Sequence, residues 1–320
     1  MKKYFSLLVL ITLLPFYSAS AKDAPRIRVK LSAPELQVFL FKSNGDMNVK
    51  AGTKNALVTK GTSVVIVKGG SKVISRVKDK IFMDTKITLE AADQKYVEVT
   101  SWKRTYAWDK SMNMNDNKFL GSIDVYPEGK GLLLVNDILL SDYMKGIAEV
   151  PETDQVEKRK ALAVLSRSYA AHYTMTDNKK FEDPRYNAAD DPQIFQKYLG
   201  YGWQLRSPQW QQALIDTKDE VMKFNGEVLR AAYSSCTGTI GRRKTPVEAG
   251  WNKPYFEKTV SVYPAVADPL GIDLVREASN TCGHGVGLSG LGATNMAKDG
   301  KTYKEIIDYY YDNYTLEKLQ

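Results

Sequence analysis

The spacing of apolar residues changes once along this chain, and that change limits the folds open to it. From residue 26 to about 103 apolar side chains alternate with polar ones, as in Ile27-Arg28-Val29-Lys30-Leu31, Leu36-Gln37-Val38-Phe39-Leu40-Phe41 and Ser63-Val64-Val65-Ile66-Val67. A period of two places side chains on opposite faces of a strand, and Asn44-Gly45 and Gly69-Gly70 supply turns between the runs. Further strands are expected over residues 80–89, 96–101, 119–126 and 132–136. Near Ser141 the period lengthens to that of a helix. A short helix capped by Ser141 is expected to run to Glu149 and stop before Pro151. A second starts after Asp154, with Glu157 in capping-box relation, and buries Ala161, Val164, Leu165, Ser168 and Ala171. Residues 209–217 and 302–311 also read as helices, and 227–233 as a strand. The expected class is α+β: a β-rich N-terminal region over residues 22–105 packed on a mixed α/β core over 106–320, with a central cleft.

Residues 1–21 read as a signal peptide. Lys2-Lys3 precede an apolar run from Tyr4 to Phe16, and Ala19-Ser20-Ala21 makes a cleavage site. The run is shorter than the ~20 residues a bilayer core demands. With no Cys near the cleavage site, a lipoprotein anchor is not expected. The mature chain is therefore expected to be exported, periplasmic or secreted, with no membrane contact after cleavage. The full sequence has a formal charge of +8, from 45 Lys+Arg against 37 Asp+Glu. Scattered basic residues in an exported protein suit a polyanionic wall polymer and argue against a nucleic-acid partner. At 43% hydrophobic and 26% charged, the composition excludes a disordered or collagen-like chain.

Groups that carry chemistry are scarce. The histidines are His172 and His284, and the cysteines are Cys236 and Cys282. Cys236, Cys282 and His284 lack the paired spacing of a structural zinc site, so no metal or other cofactor is expected. Two cysteines in an oxidising compartment permit one disulfide or two unpaired buried thiols. A Ser-His-Asp triad lacks its Gly-x-Ser-x-Gly turn. Glu149 is more informative, because Ile147, Ala148 and Val150 surround it. A carboxyl in apolar surroundings keeps its proton near neutrality, as a general acid for a glycosidic oxygen must. A surface pair with Lys145, four residues earlier, is the plain alternative. The second signal is the glycine-rich run Gly283-His284-Gly285-Val286-Gly287-Leu288-Ser289-Gly290-Leu291-Gly292-Ala293, which lacks the Lys-Ser/Thr of a phosphate loop.

These segments resemble the stage II sporulation protein D / amidase-enhancer family of exported cell-wall proteins. The resemblance runs from about residue 119 to 316. It rests on Val135-Asn136-Asp137-Ile138-Leu139-Leu140-Ser141-Asp142-Tyr143, on Gly146-Ile147-Ala148-Glu149-Val150-Pro151 with Val150 where Met is usual, and on Ala161-Leu162-Ala163-Val164-Leu165-Ser166-Arg167-Ser168-Tyr169-Ala170. It continues through Gln193-Ile194-Phe195, Ala232-Tyr233-Ser234-Ser235-Cys236-Thr237-Gly238, the glycine-rich run and a closing helix over 303–311.

The resemblance implies action on peptidoglycan glycan strands. Family members studied as enzymes are lytic transglycosylases with one Glu as acid and then base, while others enhance a wall amidase. Carried over, Glu149 is the acid/base, and His284, Ser235, Arg167, Tyr169 and Gln193 line the site. Both cysteines fall inside site-lining motifs, so the resemblance favours a Cys236–Cys282 bridge. Gly290 stands in place of the family's Gln, and Ser234 in place of its frequent His. A lysozyme-like hydrolase would carry a second carboxylate, for which Asp142, Asp190 and Asp191 are candidates, although Asp190-Asp191-Pro192 reads first as an exposed turn. Trp203, Trp210, Trp251 and Tyr255 offer faces for sugars or for a core. Glu152, or an Asp of the 190–191 pair, is expected to face the ammonium of a de-N-acetylated sugar; the resemblance alone implies a preference for denuded glycan.

Overall fold

The computed structural model describes residues 24–105, 114–235, 241–251, 253–269 and 283–319. The expected leader over residues 1–21, Cys236 and Cys282 lie outside the described residues. Alternation sets up the first strands: Ile27 and Val29 turn inward in β1 (Arg26–Lys30), as do Phe39 and Phe41 in β2 (Val38–Ser43). Each such side chain, fully buried, contributes roughly 1.5–3 kcal/mol. There follow β3 (Met47–Ala51), β4 (Lys54–Val58), β5 (Val64–Gly69), β6 (Lys72–Val77), β7 (Lys80–Asp84), β8 (Ile87–Ala91) and β9 (Val97–Val99).

Two of the strands expected before residue 130 are broken. The run over residues 80–89 turns where the Asp84 carboxylate accepts the N–H of Thr85 at 2.7 Å, and its halves join different sheets. The run over 119–126 divides into β10 (Lys118–Phe119) and β11 (Ser122–Glu128). Between them Gly121 takes φ +74°, so close to the Asp137 carbonyl that a Cβ would lie 2.4 Å from its oxygen. Next come β12 (Gly131–Leu139), α1 (Leu140–Lys145), α2 (Val156–Thr174), β13 (Ala188–Ala189), α3 (Tyr201–Arg206) and α4 (Pro208–Asp216). The chain continues through β14 (Glu220–Phe224), β15 (Glu227–Val228), β16 (Tyr233–Ser234), α5 (Pro254–Thr259), β17 (Leu288–Ser289), α6 (Gly290–Lys298), α7 (Tyr303–Tyr310) and β18 (Thr315–Lys318).

The class is α+β with a β-rich N-terminal region. One sheet has the order β13-β1-β12-β11-β8-β3-β4 and the other β10-β9-β2-β5-β6-β7. β1 pairs antiparallel with β12, Ile27 opposite Ile138, so the first strand is built into the same sheet as residues 131–139. α2 is the centre of the helical part. From Lys158 to Tyr173 every residue but Lys160 is buried, and α4, α6, α7 and β14 pack around it. Its alanines and serines, Ala161, Ala163, Ser166, Ser168, Ala170 and Ala171, permit that close approach.

The expected caps are not used. Ser141 lies exposed within α1, and Gln155 precedes α2. Asp154 accepts from Lys158 Nζ at 2.6 Å, and Glu157 accepts the N–H of Tyr303 at 2.7 Å. The capping box that does form joins Thr302 and Glu305 at the start of α7.

Candidate active site

Glu149 lies beyond α1 rather than at its end. The chain leaves the helix at Gly146, where a Cβ would sit 2.6 Å from the Tyr198 ring. It then runs antiparallel beside residues 197–199: Ala148 N–H donates to Lys197 O, and Leu199 N–H to Gly146 O, both at 2.9 Å. This pairing brings the Lys197 N–H within 2.7 Å of Glu149 Oε1. Among the described residues no other hydrogen bond is made to that carboxylate, which leaves Oε2 to carry a proton. Burial pushes the Glu149 pKa up, against the smaller opposing pull of the Lys197 N–H and ammonium. Tyr143 and Tyr233, close enough for its charge to raise their own pKa values further, stay neutral phenols. Gln196 bridges those two hydroxyls at 3.1 and 3.0 Å.

The glycine-rich loop faces Glu149 across a cleft of about 620 Å³, whose lining includes both Glu149 and His284. Gly287, at φ +69°, passes so near Ala232 that a Cβ would fall 1.9 Å from its carbonyl oxygen. That contact lets β17 pair in parallel with β16, Leu288 beside Tyr233 and Ser289 beside Ser234. Arg243, fully buried, is threaded through the loop. Its Nε donates to Gly287 O at 2.6 Å, and one terminal nitrogen to Val286 O, Leu288 O and Ser234 Oγ at 2.9–3.0 Å. His284 Nδ1 accepts the N–H of Val286 at 3.1 Å, so the ring proton sits on Nε2. Burial first, then the Arg243 and Arg230 charges, pull its pKa down to about 4. His284 is thus a fixed, neutral ring at working pH, with Trp251 4.7 Å away.

Of the residues expected to line a site, the fold brings Glu149, His284, Ser235, Tyr169 and Gln193 to this one cleft. Two others lie elsewhere. Arg167, on α2, is buried, donating to Glu220 O at 2.8 Å and Thr217 Oγ1 at 3.3 Å, and borders a separate cavity of about 410 Å³. Glu152 accepts the N–H groups of Gln209 and Trp210 at 2.8 and 2.9 Å, which places its charge on the open N-terminus of α4. Glu152→Ala is therefore expected to lower stability by about 1 kcal/mol, read as a lower denaturant midpoint, with little change in activity.

The 190–191 pair does not face the cleft as a charge site either. Asp190 is buried rather than in an exposed turn, 2.9 Å from Arg104, and accepts the Ser32 N–H. Asp191 accepts the Gln193 N–H, and Asp142 pairs with Lys145 at 2.7 Å. The ammonium contact expected of Glu152 or this pair thus has no support in the fold. Trp210 is core, its Nε1 donating to Met144 O; of the four aromatic residues singled out, Trp251 is the one that lines the cleft. The strand expected over 227–233 is interrupted because the N–H and C=O of Arg230 turn to the hydroxyls of Tyr255 and Tyr263.

The sequence reading missed Arg230, Lys180 and Lys158 in the lining, and Arg243 behind it. Arg230, inside the apolar stretch Leu229-Arg230-Ala231-Ala232, carried a usable signal; Lys180, in a Lys-Lys pair, did not.

Residues 128–224 match the family model described as stage II sporulation protein. The Stage II sporulation protein D of Bacillus subtilis (strain 168) is 23% identical, over 55% of this chain and 74% of that protein. The Amidase enhancer of the same organism is 33% identical over 30% of this chain but only 12% of its own length. An uncharacterized protein of Brachyspira hyodysenteriae is 25% identical over 39% of this chain and 33% of its own. The family resemblance read from the motifs is thus recovered. The family-model match includes Glu149, Tyr169 and Gln193; Ser235 and His284 lie past its end.

Proposed function

We propose that this chain, which carries a stage II sporulation protein D-type segment over residues 128–224, cleaves peptidoglycan glycan strands with Glu149 as its acid and base. The observation that carries the reading is the Glu149 carboxyl itself: one oxygen pinned by a backbone N–H, the pKa raised by burial, at a cleft roomy enough for sugars. Protonated Oε2 gives its proton to the glycosidic oxygen as the C1–O bond breaks. The resulting carboxylate then takes the proton of the hydroxyl that attacks C1. If that hydroxyl is the muramic acid 6-hydroxyl, the new end is an anhydro sugar; if it is water, the outcome is lysozyme-like.

Lytic transfer is favoured by the remaining acids. Among the described residues lining the cleft, the other carboxylate is Asp154, tied to Lys158 Nζ at 2.6 Å and Thr294 Oγ1 at 3.1 Å. Despite burial, Lys158 and its other hydrogen-bond partners hold its pKa below the usual range, so it is charged and engaged. A hydrolase that activates water needs a freer second carboxylate.

The Amidase enhancer relative supports a second reading, a non-catalytic wall-binding protein with an amidase partner. Digestion of purified sacculi with mass analysis of the new ends separates the two. Anhydro glycan ends are expected from the protein alone. Intact glycan, with stem peptides released only when an amidase is added, would favour the enhancer. Among the described residues no helix is long and apolar enough to cross a membrane, and the leader-like residues 1–21 and basic charge support an exported protein. In that compartment Cys236 and Cys282 are expected to be bridged. Thiol titration of denatured, unreduced protein should find none; two titratable thiols would refute the bridge.

A further inference from the structure

The cleft holds positive charge that the cleavage step does not use. Arg230 lies among four aromatic rings, with its guanidinium carbon 4.6 Å from the Phe256 centroid, 5.3 Å from Trp251, 5.8 Å from Tyr173 and 5.9 Å from Tyr169. Ring faces stabilise a cation without a carboxylate, but they leave in-plane N–H groups unpaired. Arg230 Nε is buried and has no hydrogen-bond partner among the described residues. Lys180 lines the same cleft, its Nζ donating to Tyr169 Oη at 3.0 Å. Neither cation forms an ion pair among the described residues, since Asp154 is held by Lys158. Burial, and then the charges of Arg230 and Lys253, push the Lys180 pKa down to about 8. Two like charges kept together with no counter-ion among the described residues are arranged for an anion that arrives from outside.

We propose that Arg230 and Lys180 form an oxyanion subsite that takes a carboxylate borne by the glycan beside the bond that Glu149 cleaves. The subsite deepens the reading of this cleft as a glycan site and rests on it. Two groups on a wall glycan offer that chemistry: the carboxylate of the muramic sugar itself, and the terminal carboxylate of an attached peptide.

Binding can be measured without turnover in the full chain carrying Glu149→Gln. The probes are muramic acid-containing tetrasaccharides in three forms: sugar carboxylates free, capped as a neutral methylamide, or joined to a short peptide ending in a free carboxylate. Capping is expected to weaken binding by about ten- to a hundredfold, the worth of a charge-assisted hydrogen bond. Recovery of affinity with the peptide form would assign the anion to the peptide, and its absence to the sugar. Adding Arg230→Gln should erase the difference between free and capped forms, while Arg230→Lys should keep part of it. Lys180→Gln, on a more exposed side chain, should shrink it as well and serves if the Arg230 variants do not fold. Equal affinity for free and capped forms, with the peptide form no tighter, or a difference that survives Arg230→Gln or Lys180→Gln, would overturn the subsite. Failure of all three forms to bind would remove the glycan reading of the cleft and the subsite with it.

Discussion

Glu149→Gln is expected to slow glycan cleavage by about 10²- to 10⁴-fold, the usual worth of a positioned general acid, and to leave the protein folded. The amide oxygen can still accept the Lys197 N–H, now made at 2.7 Å, so the segment beside residues 197–199 keeps its anchor. What is lost is the transferable proton. The amide has none to donate to a departing sugar oxygen and cannot accept one afterwards, so both halves of the reaction fail. The same chemistry sets the pH dependence. A raised pKa means that Glu149 keeps its proton above the usual range of a glutamic acid, and cleavage falls as pH rises through that pKa. His284, pulled down to about 4, does not change charge in that interval and adds no limb of its own there. Sacculus digestion by the Gln variant at near wild-type rate would reject the assignment.

Arg243→Met is the other change with a large expected effect, and it acts through structure. The guanidinium is fully buried and reaches three successive carbonyls, Val286, Gly287 and Leu288, as well as Ser234 Oγ. Methionine fills much of the volume but donates nothing, which strands several acceptors in a place water does not reach. At about 1–3 kcal/mol for each buried acceptor left unpaired, the loss comes to about 3 kcal/mol or more. At roughly 2–4 °C per kcal/mol for a chain of a few hundred residues or fewer, that is a fall in Tm of about 6 °C or more. Cleavage should fall with it even below the melting range, because the loop that sets His284 and the β16–β17 pair lose their common anchor. A variant that melts and digests sacculi like the wild type would show that the loop is held by its backbone alone.

The parts of this site that were legible from sequence are those whose residue types are themselves unusual. Glu149 stands out as an acid among apolar neighbours, and His284 as one histidine inside a dense run of glycines, so both are legible from the residues alone. Tyr169, Gln193 and Ser235 came with the resemblance and converge on the same cleft. Arg167 and Glu152 sit within or beside the same motifs but serve packing and a helix end, which a motif alone does not distinguish from contact with a ligand.

Helix existence was readable from period, whereas the caps were not. Asp154 and Glu157 have cap chemistry but bond to Lys158, Thr294 and Tyr303, up to 146 residues away in the chain. Strand ends were hidden for a similar reason. The break at Gly121 depends on how closely β12 passes, a fact about the fold rather than about the local run.

The most direct test is a carbon NMR titration of the Glu149 side-chain carboxyl in the intact protein, followed alongside the cleavage rate across the same pH range. If Glu149 is the acid, its midpoint lies above the ~4.3 of an unperturbed glutamic acid and coincides with the pH at which cleavage falls on the alkaline side. A Glu149 already fully ionised where cleavage is fastest would contradict it.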